Sequence, residues 1–291
     1  MIRNTTRAPL DSGFRRNDGG PQVFHLSVDT LSNSSIRCYR MTPRIDIAPT
    51  VKVLVAVLFI AMVPIFLIAF NVRWVINFPP LYSYGFDRYD IVRYTGIERD
   101  ELISAGKQIR DYFNNGAELL EIRVAVGGVL VMNLYNEREV LHMRDVKGLV
   151  KGVYRVSEIT GLFLALVVIG GFINWRRAFV PMLGSLIRWG GGVTLSLVVL
   201  VGLGALVGFD RLFLAFHLIS FSNDLWQLDP RRDYLIAMFP QGFFFDATML
   251  IALAVVVEAA ILVIVPRFMS KATEAGREMA ESDLVGEANA S

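Results

Sequence analysis

Four apolar runs constrain this chain before anything else does. Val51–Phe70, Ile159–Trp175, Trp189–Gly208 and Ala247–Val265 are each long enough, as helices rising about 1.5 Å per residue, to cross about 30 Å of hydrocarbon. The chain has 291 residues, 54% of them hydrophobic, and a mean hydropathy of +0.47. That is too apolar for a soluble domain. The expected class is an α-helical membrane protein.

Basic residues at the ends of the runs set the expected orientation. Arg44 and Lys52 stand at the start of the first run, Arg176, Arg177 and Arg188 lie between the second and third, and Arg267 and Lys271 follow the fourth. Under the positive-inside rule these are the cytoplasmic sides. Both termini are then cytoplasmic. The chain divides into an extension (1–45), a first transmembrane helix (46–70), an extracytoplasmic cap (71–158), a second transmembrane helix (159–175), a cytoplasmic loop (176–188), a third transmembrane helix (189–208), an outer interfacial segment (209–246), a fourth transmembrane helix (247–265) and a cytoplasmic tail (266–291).

The extension is rich in Arg, Asn, Ser, Thr and Gly and reads as disordered. Its fragment Leu10–Gly20 resembles translated intergenic repeats, so Met41 is the expected start. His25 and Cys38 fall in this segment and receive no role. One cysteine excludes a disulfide framework and any paired-cysteine metal or redox motif. A net charge of +2 leaves no nucleic-acid footprint. No G-x-S-x-G elbow and no glycine-rich phosphate loop are present.

The cap is expected to be α+β. Thr95 and Glu98 have capping-box spacing, followed by a helix with Leu102, Ile103, Ile109, Tyr112 and Phe113 on one side and a stop at Asn114-Asn115-Gly116. Ile122, Val124 and Val126 alternate with small or polar residues, Gly127-Gly128 makes a turn, and Leu130, Met132 and Leu134 alternate again. That pattern predicts a hairpin.

Two histidines lie on the expected outer side. His142 has Glu139 and Asp145 three residues to either side, within reach on a helix. A carboxylate beside an imidazole can fix its tautomer and raise its basicity, although the same spacing also describes a solvated face of surface ion pairs. His217 sits among Phe213, Leu214, Phe216, Leu218, Ile219 and Phe221, where an imidazole needs a polar partner. Asp210 and Asp224 are two helical turns away, and a chain turn at Ser222-Asn223 would bring Asp224 back. A structural interface histidine fits as well. His142, Asp145 and His217 also form a weak metal-ligand set. Inside the fourth run, Glu258 is expected to play a structural part and to pair with Lys52 or Arg188. Gly190-Gly191-Gly192, Gly202 and Gly204 suggest close helix packing, and Arg231-Arg232 reads as a solvated turn.

Asn136–Gly148 (NEREVLHMRDVKG), Phe216–Pro230 (FHLISFSNDLWQLDP) and the following Arg232–Ile236, Phe239-Pro240 and Phe243-Phe244 resemble the signatures of a bacterial four-span membrane family that includes the lipoprotein intramolecular transacylase. The resemblance runs from about Ile45 to Phe268. It implies transfer of the sn-2 acyl chain of a lipoprotein's diacylglyceryl group to the α-amine of its N-terminal cysteine, without a cofactor. It implies that His142 and His217 are the functional pair. The first is the expected base and the second the expected acid, or the reverse. Glu139, Asp145, Asn223, Asp224 and Asp229 are expected to support them, with Trp226 and the aromatic cluster lining the entry. The implied partners are a diacylated lipoprotein N-terminus and membrane lipids. Two other readings stay open: a metal-dependent membrane hydrolase, and a non-enzymatic sensor or assembly component.

Overall fold

The computed structural model describes the backbone of residues 48–289 and the side chains of residues 48–267. The expectations about the extension, His25, Cys38 and Met41 lie outside the described residues. Among the described residues, three helical segments are long and apolar enough to cross a membrane: Pro49–Ile76, Glu137–Ser220 and Gln241–Arg267.

Helix α1 (Pro49–Ile76) starts on a proline in its first turn, a position whose N–H is unsatisfied in any case. Two short helices, α2 (Pro79–Arg88) and α3 (Ile91–Thr95), precede α4 (Arg99–Asn114). The capping box expected at Thr95 and Glu98 does not form. Thr95 ends α3, its hydroxyl donating to the Ile91 carbonyl and accepting from Ile97 N–H, so it is already occupied by its own turn. On α4, Leu102, Ile109, Tyr112 and Phe113 are buried as the pattern requires, while Ile103 is partly exposed. Strands β1 (Val124–Val126) and β2 (Val129–Val131) pair antiparallel around Gly127 and Gly128, whose φ of +60° and +80° suit a two-residue hairpin turn.

Helix α5 (Glu137–Trp175) begins far ahead of its apolar run, and α6 (Val180–Ser220) extends beyond both ends of its own. Only a short 3-10 turn, Arg176–Phe179, separates them. The expected 176–188 loop is therefore mostly helix, because hydropathy reports immersion and not where backbone hydrogen bonding stops. Gly171 permits the tight reversal: a Cβ there would stand 2.3 Å from the Phe179 ring. Within α6, Gly208 breaks the helical dihedrals. After α7 (Tyr234–Met238), α8 (Gln241–Asn289) closes the fold.

Helix α1 packs against α5, α6 and α8, and α6 packs against α8. Their shared core includes Phe59, Val63, Leu67, Leu186, Val255 and Ala259. Gly190 and Gly191 allow close approach, since added Cβ atoms would meet Val63 at 2.8 Å and the Ala259 carbonyl at 2.9 Å. Gly192, Gly202 and Gly204 have nothing within 4 Å and do not share that role. Glu258 pairs with neither Lys52 nor Arg188 but accepts from Asn71 Nδ2 at 2.7 Å. Lys52 instead lies over the Trp175 ring.

A second core joins the segment between α1 and α5 to the start of α5, α7 and the start of α8. Phe86, Ile91, Ile97, Leu102 and Ile122 pack there with Met143, Met238 and Phe243. This core fixes the N-terminal turns of α5, and with them His142.

Candidate active site

His142 sits in the second turn of α5, in the polar part of that helix ahead of the apolar run. The helix start is defined by a capping box: Asn136 accepts from Glu139 N–H, and Glu139 Oε2 accepts from Asn136 N–H at 2.8 Å. Glu139 is 1% exposed, and its other oxygen accepts from Leu235 N–H at 2.6 Å. The carboxylate thus joins the N-terminus of α5 to that of α7. Burial raises its pKa, against the opposing effect of these two backbone donors. It is a structural clamp and makes no hydrogen bond to His142.

Three more contacts join the same region to the segment after α6. Asn136 Nδ2 donates to Asp233 Oδ1 at 2.8 Å, Arg138 Nη2 donates to the Asp224 carbonyl, and Asn223 Nδ2 donates to Asp145 Oδ2 at 2.9 Å. Asp145 therefore faces Asn223 rather than His142. The side chain of Asp224 accepts from Gln227 and does not return to His217. Asp229 caps its own turn, accepting from Arg231 N–H while its N–H donates to Asp233 Oδ2.

His217 lies in the last turn of α6, and its Nδ1 is 2.8 Å from the Phe213 carbonyl one turn earlier. A carbonyl only accepts, so Nδ1 carries the proton and the neutral ring has its lone pair on Nε2. The polar partner that burial demands is thus the helix backbone. The ring lies between Phe213 at 4.4 Å and Trp226 at 5.1 Å, centroid to centroid.

The two imidazoles meet. Their centroids are 6.3 Å apart with 28° between the planes, and the Phe221 ring stands edge-on to His142 at 5.1 Å. His142 is 6% exposed and His217 8%. Nδ1 of His142 is buried without a hydrogen-bond partner, an arrangement costly enough to need a reason. Burial pushes the His142 pKa down to about 4, the nearby His217 adds to the shift, and Asp145 opposes it. The ring is neutral at pH 7.

Of the residues expected at the site, the fold brings His142, His217 and Trp226 into one aromatic-walled cluster, with Asp145 and Asn223 bonded to each other beside it. Glu139, Asp224 and Asp229 hold its frame. Among the described residues no group of three His, Cys, Asp or Glu side chains converges as a metal-ligand set. The sequence assigned no role to Phe213, Arg138, Asn136 or Asp233, although Phe213 stands among the apolar neighbours of His217 and the other three fall within the motifs quoted above. Asn136 had a usable signal, an asparagine three residues before a glutamate at a helix start. The contributions of the Phe213 carbonyl and of Asp233 have none.

A family model described as "Lipoprotein intramolecular transacylase Lit" matches residues 57–244, which include both histidines. The fold resembles the in meso structure of the membrane integral lipoprotein intramolecular transacylase Lit from Bacillus cereus, with a TM-score of 0.65 and 20% identity over 78% of this chain and 100% of that one. A structure of the same Bacillus cereus protein with a histidine changed to arginine matches with a TM-score of 0.62 and 18% identity, covering 78% of this chain and 95% of the other. No curated protein matches the sequence.

Proposed function

The chain belongs to the lipoprotein intramolecular transacylase family, and from that premise we propose how its histidine pair carries the reaction. The protein is a membrane-bound acyltransferase that moves an acyl chain within the lipid-modified N-terminus of a bacterial lipoprotein. The substrate brings both nucleophile and electrophile, so no serine or cysteine of the enzyme is required. Holding amine and ester together supplies effective molarity.

His217 is the general base. The α-amine attacks the sn-2 ester carbonyl, and its proton passes to Nε2 of His217, the atom left free by the Phe213 carbonyl. His142 remains neutral and directs a ring N–H at the oxyanion of the tetrahedral intermediate, where a fixed donor in a dry site acts strongly. Collapse breaks the ester C–O bond, and the departing glyceryl oxygen takes the proton from His217. The products are an amide at the cysteine nitrogen and a free sn-2 hydroxyl. This reverses the acid and base order favoured by spacing, for which neither Glu139 nor Asp145 is free to serve as orienter. The observation that carries the assignment is the 2.8 Å contact from His217 Nδ1 to Phe213.

We read the helices as four crossings, with α5 and α6 as an antiparallel pair joined at Arg176–Phe179, both termini in the cytoplasm, and residues 71–158 as an extracytoplasmic cap in a bacterial cytoplasmic membrane. The basic residues Arg176, Arg177 and Arg188 at one end of that pair support this orientation. The histidines then lie at the outer membrane–water interface, where a lipoprotein presents its N-terminus, with membrane lipids around the exposed sides of α6. Expression in a bacterium lacking lipoprotein N-acylation, followed by mass spectrometry of a reporter's N-terminal peptide, tests the reading. An N-acylated lyso-form is expected, and an unchanged free amine with folded protein would overturn it.

A further inference from the structure

The hairpin leading to α5 carries an open edge. Val129 is 68% exposed, Leu130 65% and Met132 50%, and the run Val124–Met132 contains no charge and no proline. Exposed strand edges are ordinarily blunted by lysine, proline, a bulge or very short length; β2 carries no lysine, proline or bulge, and its three residues limit the edge to a short stretch centred on Leu130.

Its two edges differ. Val126 pairs with Val129 and Val124 with Val131, and across a two-residue turn these are the mutually bonded pairs. The N–H and C=O groups of Ala125 and Leu130 therefore point away from the ladder. On the β1 side that direction is filled: Ala125 N–H donates to Glu101 Oε2 at 2.9 Å, and Ile97 bridges to Val126. On the β2 side Leu130 is 65% exposed, and its outward groups meet no hydrogen-bond partner among the described residues. Lipid is a poor cover for them, because unpaired backbone groups are excluded from hydrocarbon.

We propose that the β2 edge receives the peptide backbone of the lipoprotein substrate just beyond its lipidated cysteine, as an added strand; this rests on the transacylase reading above. Backbone pairing suits a substrate whose lipid is constant while its following sequence varies, since main-chain hydrogen bonds are indifferent to side chains. The reach is sufficient. From Leu130 to His142 the chain runs through six residues of at most about 3.4 Å each and six helical residues of about 1.5 Å each, so the two lie within about 30 Å. An extended peptide covers that in about nine residues. The strand therefore uses substrate residues within roughly the first ten after the cysteine.

The test compares a diacylglyceryl-cysteine dipeptide, too short to pair as a strand at any distance, with a lipopeptide of about 15 residues, long enough to span the limit above, on the full chain in nanodiscs. Both binding and turnover are measured for wild type, for Leu130→Ala, which removes the side chain alone, and for Leu130→Pro, which also removes the outward N–H and suits an edge position. The expected result in Leu130→Pro, relative to Leu130→Ala, is a KM and Kd for the long peptide raised about tenfold at unchanged kcat, with the short peptide unaffected. Backbone N-methylation of the long substrate should reproduce the loss on wild-type protein, which keeps the test valid if the variant fails to fold. Equal losses on both peptides would reveal a structural or lipid-anchoring hairpin, and no loss on either an unused edge; each overturns the proposal. If neither peptide turns over while the long one still binds tighter through this edge, the transacylase reading fails and the docking surface stands.

Discussion

His217 Nδ1 lies 2.8 Å from the carbonyl of Phe213, one turn back on the same helix. This single backbone contact fixes the proton on Nδ1 and leaves the lone pair on Nε2. It also separates the two histidines chemically, since His142 Nδ1 has no hydrogen-bond partner among the described residues.

His217→Asn should therefore fold and fail. The asparagine amide can still donate to the Phe213 carbonyl, whereas nothing remains at the Nε2 position to take a proton. A fall in kcat of about 10²–10⁴-fold is expected, the usual worth of a general base, with the melting temperature near that of wild type. Transacylation of a synthetic diacylglyceryl lipopeptide, measured beside thermal unfolding, checks both halves.

Acid should weaken the protein through His142. Its folded pKa of about 4 lies below the value of about 6.5 expected when unfolded. Between those values the unfolded chain binds more protons, so stability falls as pH drops from about 6.5 towards about 4 and then levels off. The full effect is at most about 3 kcal/mol. A His142→Gln variant should show a flatter melting temperature across the same window; an unchanged slope would mean that other groups carry the acid sensitivity.

Glu139 tests the frame rather than the chemistry. In Glu139→Gln one of the two backbone donors, Leu235 N–H or Asn136 N–H, must face an amide NH₂ in a buried site. A loss of about 2 kcal/mol is expected, a drop of roughly 5 °C in melting temperature. Because α7 is tied to the start of α5 through this carboxylate, protection of amides 235–239 in hydrogen exchange should fall more than that of α1.

Gly171 governs the reversal between α5 and α6. In Gly171→Ala the new methyl would lie 2.3 Å from the Phe179 ring, so the ring or the turn must move. Overpacking of this kind costs about 1–3 kcal/mol. Gly170→Ala, beside it with nothing within 4 Å of the added Cβ, should be neutral in the same unfolding assay.

By itself the sequence determined the class of this protein, the apolar lengths, the hairpin and the two segments that carry its histidines, because hydropathy, turn chemistry and side-chain type are local properties. It did not determine the extent of the helices: helix runs on through Arg188, where hydropathy suggested a boundary, whereas at Gly208, the expected end of the third run, the helical dihedrals do break before a further helical stretch to Ser220. The partners of the polar side chains were equally out of reach. Spacing offered Glu139 and Asp145 to His142, yet the first is taken by Leu235 and the second by Asn223, residues remote in sequence. Only the tertiary structure decided that the histidines face each other at 6.3 Å and that a backbone carbonyl orients one while burial neutralises the other. Such choices depend on which groups compete for each donor once the chain is packed, and that competition has no local signature.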